Sequence, residues 1–143
     1  KTIGDCYMAV AYQEVHKSAS DAAAVAMAVA NNMHQIIPAH LINGKELAIR
    51  AGIHGGTVVG GIIGKYKFCY DIWGDPVNLA SRMESTGIAK ATQVTKYIHD
   101  MLKDRFFFEE RREVYVKGKG RMTTYVHYPN ANLTAEDSTP LLP

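Results

Sequence analysis

The sequence is poor in several residue types, and each scarcity excludes a class of protein. Only two cysteines, Cys6 and Cys69, occur among 143 residues, which excludes a dense disulfide framework. They do not form a C-x-x-C pair of the kind that binds zinc. No stretch approaches the ~18 consecutive apolar residues of a membrane span. The chain begins at Lys1 without a signal-peptide pattern, so we expect a segment of a longer protein, kept in a reducing, intracellular compartment.

Charge of either sign is also modest. The net charge is +2, with 21% charged and 47% apolar residues, which is typical of a folded domain rather than a disordered chain. The last fifteen residues contain Glu136 and Asp137 but no Lys or Arg, so residues 1–128 are slightly more basic than the whole. Such a weak excess suits a polyphosphate ligand and does not indicate nucleic-acid binding.

Apolar periodicity predicts one α+β domain over residues 1–128. The predicted elements are a strand over 3–12, a helix over 18–35, a hairpin with strands 47–53 and 57–63, a strand over 65–72, a helix over 75–85, a strand over 91–94, a helix from Thr95 to Leu102, and strands over 105–109, 113–116 and 122–128. Residues 129–143, rich in Asn, Thr, Ser and Pro, are predicted to form a disordered tail.

The first predicted helix carries its own start and face signals. Ser20 is the predicted N-cap, and Asp21 complements the helix dipole. Apolar side chains recur at helical spacing, which predicts a buried face. That face consists of Val25, Val29, Met33 and Ile36.

Most generic motifs fail. Gly64-Lys65 resembles the end of a P-loop, but the motif needs glycine where Val59 stands and Ser or Thr where Tyr66 stands. The six histidines show no metal-ligand spacing. These observations exclude a Walker-type nucleotide site and favour surface or core positions for the histidines over a metal site.

Two segments are less generic. In K-T-I-G-D-C-Y-M, residues 1–8, a carboxylate follows a glycine directly, and on residue types alone Gly4-Asp5 favours a turn or bulge. In Y-D-I-W-G-D-P-V-N-L-A-S-R-M, residues 70–83, Asn78 and Arg82 lie four apart and share one helix face. An amide and a guanidinium suit a phosphate group. The simpler alternative is a solvated face on which Arg82 pairs with a surface carboxylate.

Together these segments resemble the class III nucleotide cyclase catalytic domain, the family of adenylyl and guanylyl cyclases. The resemblance runs from Lys1 to about Tyr128 and includes G-I-H-G-G, V-G-G-I-I-G, D-I-W-G-D-P-V-N-L-A-S-R-M-E-S-T-G and V-K-G-K-G-x-M-x-T-Y in the family's order. It implies an α+β, ferredoxin-like (βαββαβ) cyclase catalytic domain that lacks its N-terminal strand and helices.

The resemblance also implies site roles. Asp5 matches one of two carboxylates that hold a pair of Mg²⁺ or Mn²⁺ ions. Asn78 matches the asparagine that positions the ribose, and Arg82 matches the arginine that stabilises charge on the α-phosphate. Lys117 matches the triphosphate-binding lysine, with Lys119 as the less favoured neighbour.

Base choice is implied by two further positions. Lys1 and Asp71 match the Lys–Asp pair with which similar adenylyl cyclases read adenine. Guanylyl cyclases resemble this chain but carry Glu and usually Cys at these positions. The resemblance therefore favours ATP as substrate, and an adenylyl cyclase acting in signal transduction, over a guanylyl cyclase. A non-catalytic cyclase-homology module, serving dimerisation or regulation, is the alternative from another functional class.

The sequence departs from the family pattern in two places. Thr57 stands where some members carry a phosphate-binding arginine. The first metal carboxylate of the family lies upstream of Lys1, and neither Asp21 nor Asp75 matches its motif. We therefore expect this chain alone to show no appreciable activity. The resemblance implies a homodimer whose two sites each draw Asp5 from one subunit and the other five site residues from its partner. It also implies a domain at the cytoplasmic face, with membrane attachment only through segments outside this chain.

Overall fold

The computed structural model describes residues 1–129, in which three α-helices and ten strands alternate. In chain order they are β1 (Thr2–Ile3), β2 (Cys6–Tyr7), α1 (Ala19–Ile36), a 3-10 turn (Ile37–Ala39), β3 (Leu41–Ile42), β4 (Lys45–Glu46), β5 (Ala51–Ile53), β6 (Val59–Ile63), β7 (Cys69–Trp73), α2 (Asp75–Ser85), β8 (Thr92–Thr95), α3 (Lys96–Leu102), β9 (Glu109–Val116) and β10 (Gly120–His127). The predicted α+β class is confirmed. The predicted tail lies, apart from Pro129, outside the described residues.

The central sheet has the order β5-β8-β10-β9, in which only β5 and β8 run parallel. The predicted hairpin between 47–53 and 57–63 is therefore wrong. β5 pairs with β8, some forty residues later in the chain, while β6 pairs with β7 in a separate two-stranded ribbon with Gly61 opposite Asp71. The predicted strand over 105–109 is also displaced, because β9 begins only at Glu109.

The N-terminal strand prediction is wrong in a related way. Residues 1–8 form a tight hairpin in which Ile3 pairs with Cys6, and the Met8 amide donates to the Lys1 carbonyl at 2.7 Å. Gly4 has a φ of 61°, a left-handed conformation that glycine adopts without steric cost. The Gly4-Asp5 pair thus forms the turn that its residue types favour.

Helix α1 begins and packs differently from the prediction. Its N-cap is Ser18, whose hydroxyl accepts from the Asp21 amide at 3.1 Å, while Ser20 donates to the Met101 carbonyl of α3. The predicted apolar face is largely exposed, including Val25 and Val29. The buried face consists of Ala22, Ala23, Ala24, Met27, Ala30 and His34. Small alanines let α1 lie close to the sheet and α3, and a search for large apolar residues misses them.

The helices cover both faces of the central sheet. Val94 of β8 packs with α1 and α3 in one cluster, whereas the side chain of its neighbour Gln93 reaches the Met83 carbonyl of α2. Since successive strand residues point to opposite faces, α2 lies across the sheet from α1 and α3. Gly52 permits this packing, because a Cβ there would lie 2.1 Å from the Glu84 backbone nitrogen.

A buried polar network fixes the C-terminal end of α2. Gln93 is fully buried, and its amide donates to the Met83 carbonyl and the Thr86 hydroxyl. Its oxygen accepts from the Arg111 guanidinium at 2.9 Å and from the Thr124 hydroxyl at 3.3 Å. Because buried polar groups rarely tolerate the loss of a partner, this network determines where α2 presents its exposed face.

Two buried histidines join α1 to the sheet. His34 lies 3.2 Å from the Thr92 hydroxyl. His127 donates from Nδ1 to the Phe107 carbonyl at 2.9 Å, which leaves Nε2 to accept from the Asn31 amide at 3.3 Å. Burial lowers the pKa of both imidazoles, and the proximity of His127 lowers that of His34 further.

Acid is therefore expected to destabilise the domain. A folded pKa below the unfolded value of about 6.5 means that the unfolded chain binds more protons as the pH falls. The contribution of the neutral histidines is complete above about pH 7 and is lost as the pH falls from about 6.5 through their folded pKa values. We expect the free energy of unfolding to fall by about 1–3 kcal/mol between pH 7 and pH 5.

Urea unfolding at a series of pH values measures this dependence. His127→Gln should flatten the acid limb, because its side chain carries no titrating proton. His40→Gln is the matched control, since His40 is exposed. A free energy of unfolding that stays constant from pH 7 to pH 5, or an unchanged limb in His127→Gln, would contradict this assignment.

Candidate active site

The structure brings Lys1 and Asp71 together from distant parts of the sequence. The Lys1 ammonium lies 2.6 Å from Asp71 Oδ2, and Asp71 Oδ1 accepts from the Ile72 amide at 3.0 Å. The hydrogen bond from Lys1, followed by that from Ile72, holds the pKa of the Asp71 carboxyl below its usual range. The ammonium keeps two further donors and the carboxylate keeps free lone pairs, so the pair can donate and accept towards one ligand.

Helix α2 presents the predicted Asn78 and Arg82 one turn apart. The helix begins after Gly74, whose φ is 135°, and Pro76 lies in its first turn, where the missing amide hydrogen costs nothing. Asn78 is exposed and Arg82 partly buried. Within residues 1–129 no carboxylate lies within ion-pair distance of Arg82. The alternative of a surface ion pair is therefore not seen, and the guanidinium can contact an external anion.

The turn between β9 and β10 carries both candidate lysines. Gly118 has a φ of 82°, and the Lys119 amide donates to the Val116 carbonyl at 2.9 Å. The Lys119 ammonium lies 2.7 Å from Asp75 Oδ2 in the first turn of α2. Lys117 is exposed, and no ion pair of it occurs among the described residues. Lys119 thus ties the turn to α2, which leaves Lys117 as the lysine available to a ligand.

Asp75 and His54 are residues of this region that sequence reasoning undervalued. Asp75 pairs with Lys119, and nothing local in the sequence signals this pairing. His54 Nδ1 lies 2.8 Å from the Thr95 hydroxyl. Burial lowers the His54 pKa, while nearby Asp75 raises it and Lys119 lowers it. Thr57 lies beside the start of α2, its carbonyl 3.7 Å from the position of a Cβ on Gly74.

Asp5 stands at the exposed tip of the β1–β2 hairpin. Asp71 and Asp75 are each engaged by a lysine, whereas no ion pair of Asp5 occurs in residues 1–129. A free carboxylate offers the hard oxygen that Mg²⁺ or Mn²⁺ prefers. Within the part of the chain described, no three His, Cys, Asp or Glu residues cluster as a metal site. Asp5 therefore fits a metal as a single ligand.

The predicted site residues thus fall into four groups. Lys1 and Asp71 contact each other directly, and Asn78 and Arg82 share helix α2. Lys117 lies in the turn that the Lys119–Asp75 ion pair joins to α2. Asp5 makes no hydrogen bond or ion pair with any of these in the described chain. These residues supply one donor–acceptor pair, one amide and two cations, which are the kinds of group that suit a base and its phosphates. None of the helices in residues 1–129 is long and apolar enough to cross a membrane.

Comparison with protein families identifies one match over almost the whole described chain. The adenylate and guanylate cyclase catalytic domain matches residues 1–128. Curated relatives of both kinds are similar. A germination-specific adenylate cyclase of Dictyostelium discoideum is 41% identical over 132 residues, which cover 87% of this chain and 15% of the relative. The soluble guanylate cyclase subunit beta-2 of Rattus norvegicus is 37% identical over 140 residues, covering 96% and 20%.

Solved structures show the same fold. The guanylate cyclase domain of RhGC from Catenaria anguillulae, in complex with GTP, superposes with a TM-score of 0.73 at 31% identity, over 80% of this chain and 64% of that one. A non-canonical dimeric guanylyl cyclase domain from Blastocladiella emersonii gives a TM-score of 0.66 at 28% identity, over 80% of this chain and 63% of that one. The chain thus spans a fifth or less of the two curated relatives and just under two thirds of these solved domains.

Proposed function

The chain belongs to the family of adenylate and guanylate cyclase catalytic domains, and from that premise we propose that the complete protein is an adenylyl cyclase. It converts ATP to 3′,5′-cyclic AMP and pyrophosphate. The ribose 3′-oxygen forms a bond to the α-phosphorus, the bond from that phosphorus to the oxygen bridging to the β-phosphate breaks, and the hydroxyl proton leaves to solvent.

One observation carries the choice of ATP: the contact between Lys1 and Asp71. Adenine presents a 6-amino donor beside a ring-nitrogen acceptor, whereas guanine presents an oxygen acceptor beside a ring N–H donor. A carboxylate accepts from the amino group and an ammonium donates to the ring nitrogen. Because the relatives include both adenylate and guanylate cyclases, this pair is the feature that favours adenine.

The remaining residues serve the ribose and the phosphates. Asn78 positions the ribose, and Arg82, free of a carboxylate partner in residues 1–129, stabilises negative charge on the α-phosphate as the bond order changes. Lys117 binds the triphosphate. Asp5 would hold a divalent cation, which when bound activates the 3′-hydroxyl and neutralises phosphate charge.

We further propose a homodimer as the working unit. One chain carries the metal-binding candidate Asp5 together with the base-reading and phosphate-binding candidates, so a two-fold dimer supplies two equivalent sites. A solved relative that forms a non-canonical dimer supports dimer formation.

The test is product formation by the complete protein with ATP and Mg²⁺ or Mn²⁺. We expect cyclic AMP and pyrophosphate in equal amounts, and Asp5→Asn should remove most of the activity while the protein stays folded. The absence of product from ATP and GTP alike would favour a non-catalytic dimerisation or regulatory module. Cyclic GMP as the main product would favour a guanylyl cyclase.

A further inference from the structure

A second contact lies next to the Lys1–Asp71 pair and involves two residues to which the family motifs assign no role. The hydroxyl groups of Tyr12 and Tyr70 lie 3.1 Å apart. Tyr12 belongs to the connection between β2 and α1, and Tyr70 immediately precedes Asp71 in β7. The hydrogen bond to Tyr70 raises the pKa of Tyr12, so the Tyr12 hydroxyl is neutral at physiological pH.

The two contacts hold β7 from opposite sides. Successive side chains of a strand point to opposite faces, so Tyr70 and Asp71 project from different faces of the β6–β7 ribbon. Lys1 therefore binds the ribbon on one face and Tyr12 on the other. The two anchoring residues flank the β1–β2 hairpin in sequence, so this single N-terminal segment contacts both faces of β7.

Besides the contacts of β7 with α2 and the burial of Ile72, two side-chain hydrogen bonds position the ribbon. It is a separate two-stranded sheet rather than part of the four-stranded one, and two-stranded ribbons are only marginally stable alone. Within residues 1–129, the hydrogen bonds that connect the ribbon side chains to the rest of the chain are Lys1 to Asp71 and Tyr12 to Tyr70. Both hydrogen bonds therefore contribute to the orientation of Asp71.

Gly60 makes room for the second bond. A Cβ at Gly60 would lie 2.2 Å from the Tyr70 hydroxyl oxygen. Gly60 pairs with Ile72 and Ile62 pairs with Tyr70, so the Tyr70 ring lies diagonally across β6. Alanine at position 60 would displace the end of a side chain rather than backbone, which separates the two hydroxyls at small cost to the ribbon.

We propose that Tyr12 is a positioning residue for base selection, which through its hydrogen bond to Tyr70 holds β7 so that Asp71 faces the purine edge of the substrate. The inference rests on the proposed function in one respect, namely that Lys1 and Asp71 read the base. Tyr12 itself touches no substrate in this account. Its effect is on discrimination between adenine and guanine rather than on the bond-making step.

The experiment compares Tyr12→Phe, Tyr70→Phe, the double variant and Gly60→Ala in the complete protein. Each variant breaks the same hydrogen bond, so each should lower the ratio of kcat/KM for ATP to that for GTP by about three- to tenfold. The loss should be as large in the double variant as in either single one, because interacting residues are not additive. Tyr66→Phe is the control, since Tyr66 is 95% exposed in the same ribbon turn.

The readout separates this inference from the proposed function. The ratio for the wild-type protein tests ATP preference, whereas the change in ratio among variants tests Tyr12. Competitive binding of ATP and GTP gives the ratio of their dissociation constants without turnover, and this ratio should shift in the same direction. Losses that multiply in the double variant, or an unchanged ratio with equal loss of activity towards both nucleotides, would overturn the role of Tyr12 and leave it as a stability contact.

Discussion

Arg82→Ala is expected to lower kcat for cyclic AMP formation about 10²- to 10³-fold, with a small change in KM. A preorganised cation acts most strongly where negative charge develops, so its loss appears in the chemical step rather than in substrate binding. Arg82 has no carboxylate partner in residues 1–129, so its removal leaves no unpaired acidic group in the described chain. Steady-state kinetics with saturating ATP measures the effect.

Two comparisons make this result specific. Arg82→Lys keeps the charge but loses the planar, forked donor arrangement, so we expect it to recover only part of the lost rate. Arg121→Ala is the matched control, because Arg121 is exposed on β10 and pairs only with Glu113 among the described residues. Equal loss in Arg82→Ala and Arg121→Ala, or a loss that follows the melting temperature, would contradict a role in the transition state.

The double variant Lys1→Glu with Asp71→Cys is expected to move the ratio of kcat/KM for ATP to that for GTP on the order of 10²-fold towards GTP. Two base contacts are reversed, and each well-formed donor–acceptor pair discriminates by about 1–3 kcal/mol. A carboxylate at position 1 accepts from the guanine ring N–H and amino group. A thiol at position 71 removes the carboxylate that accepts from the adenine amino group.

The single variants should behave differently from the double one. Lys1→Glu alone replaces the 2.6 Å ion pair with two adjacent carboxylates, which repel each other, so activity should fall with both nucleotides. Asp71→Cys alone should lower activity with ATP without creating a guanine site. A double variant that keeps the wild-type ATP preference would show that these two residues do not select the base.

Local signals predicted part of the fold well. Helix α2 spans Asp75–Ser85, as predicted. Gly74 before the helix and Pro76 in its first turn mark its start in the sequence. The prediction of the buried face of α1 was wrong, because the actual face consists mostly of alanines, which carry little hydrophobic signal. The pairing of β5 with β8 was missed because it joins residues some forty positions apart, and no short-range pattern encodes a parallel partner.

The candidate site was likewise only partly predictable from the sequence. The family resemblance named Lys1 and Asp71 as a base-reading pair, and the structure adds their direct contact. The ion pair of Asp75 with Lys119 and the hydrogen bond of Tyr12 with Tyr70 have no sequence signal. Both depend on how the turn after β9 and the connection after β2 lie against other elements, which is decided by packing of the whole domain.

A single competition reaction tests the central claim most directly. The complete protein receives ATP and GTP at equal concentration with Mn²⁺ or Mg²⁺, and the initial rates of cyclic AMP and cyclic GMP formation give the ratio of the two kcat/KM values. The account predicts that cyclic AMP is the dominant product in the wild type and that the Lys1→Glu, Asp71→Cys variant loses this dominance. Dominant cyclic GMP from the wild-type protein would contradict it.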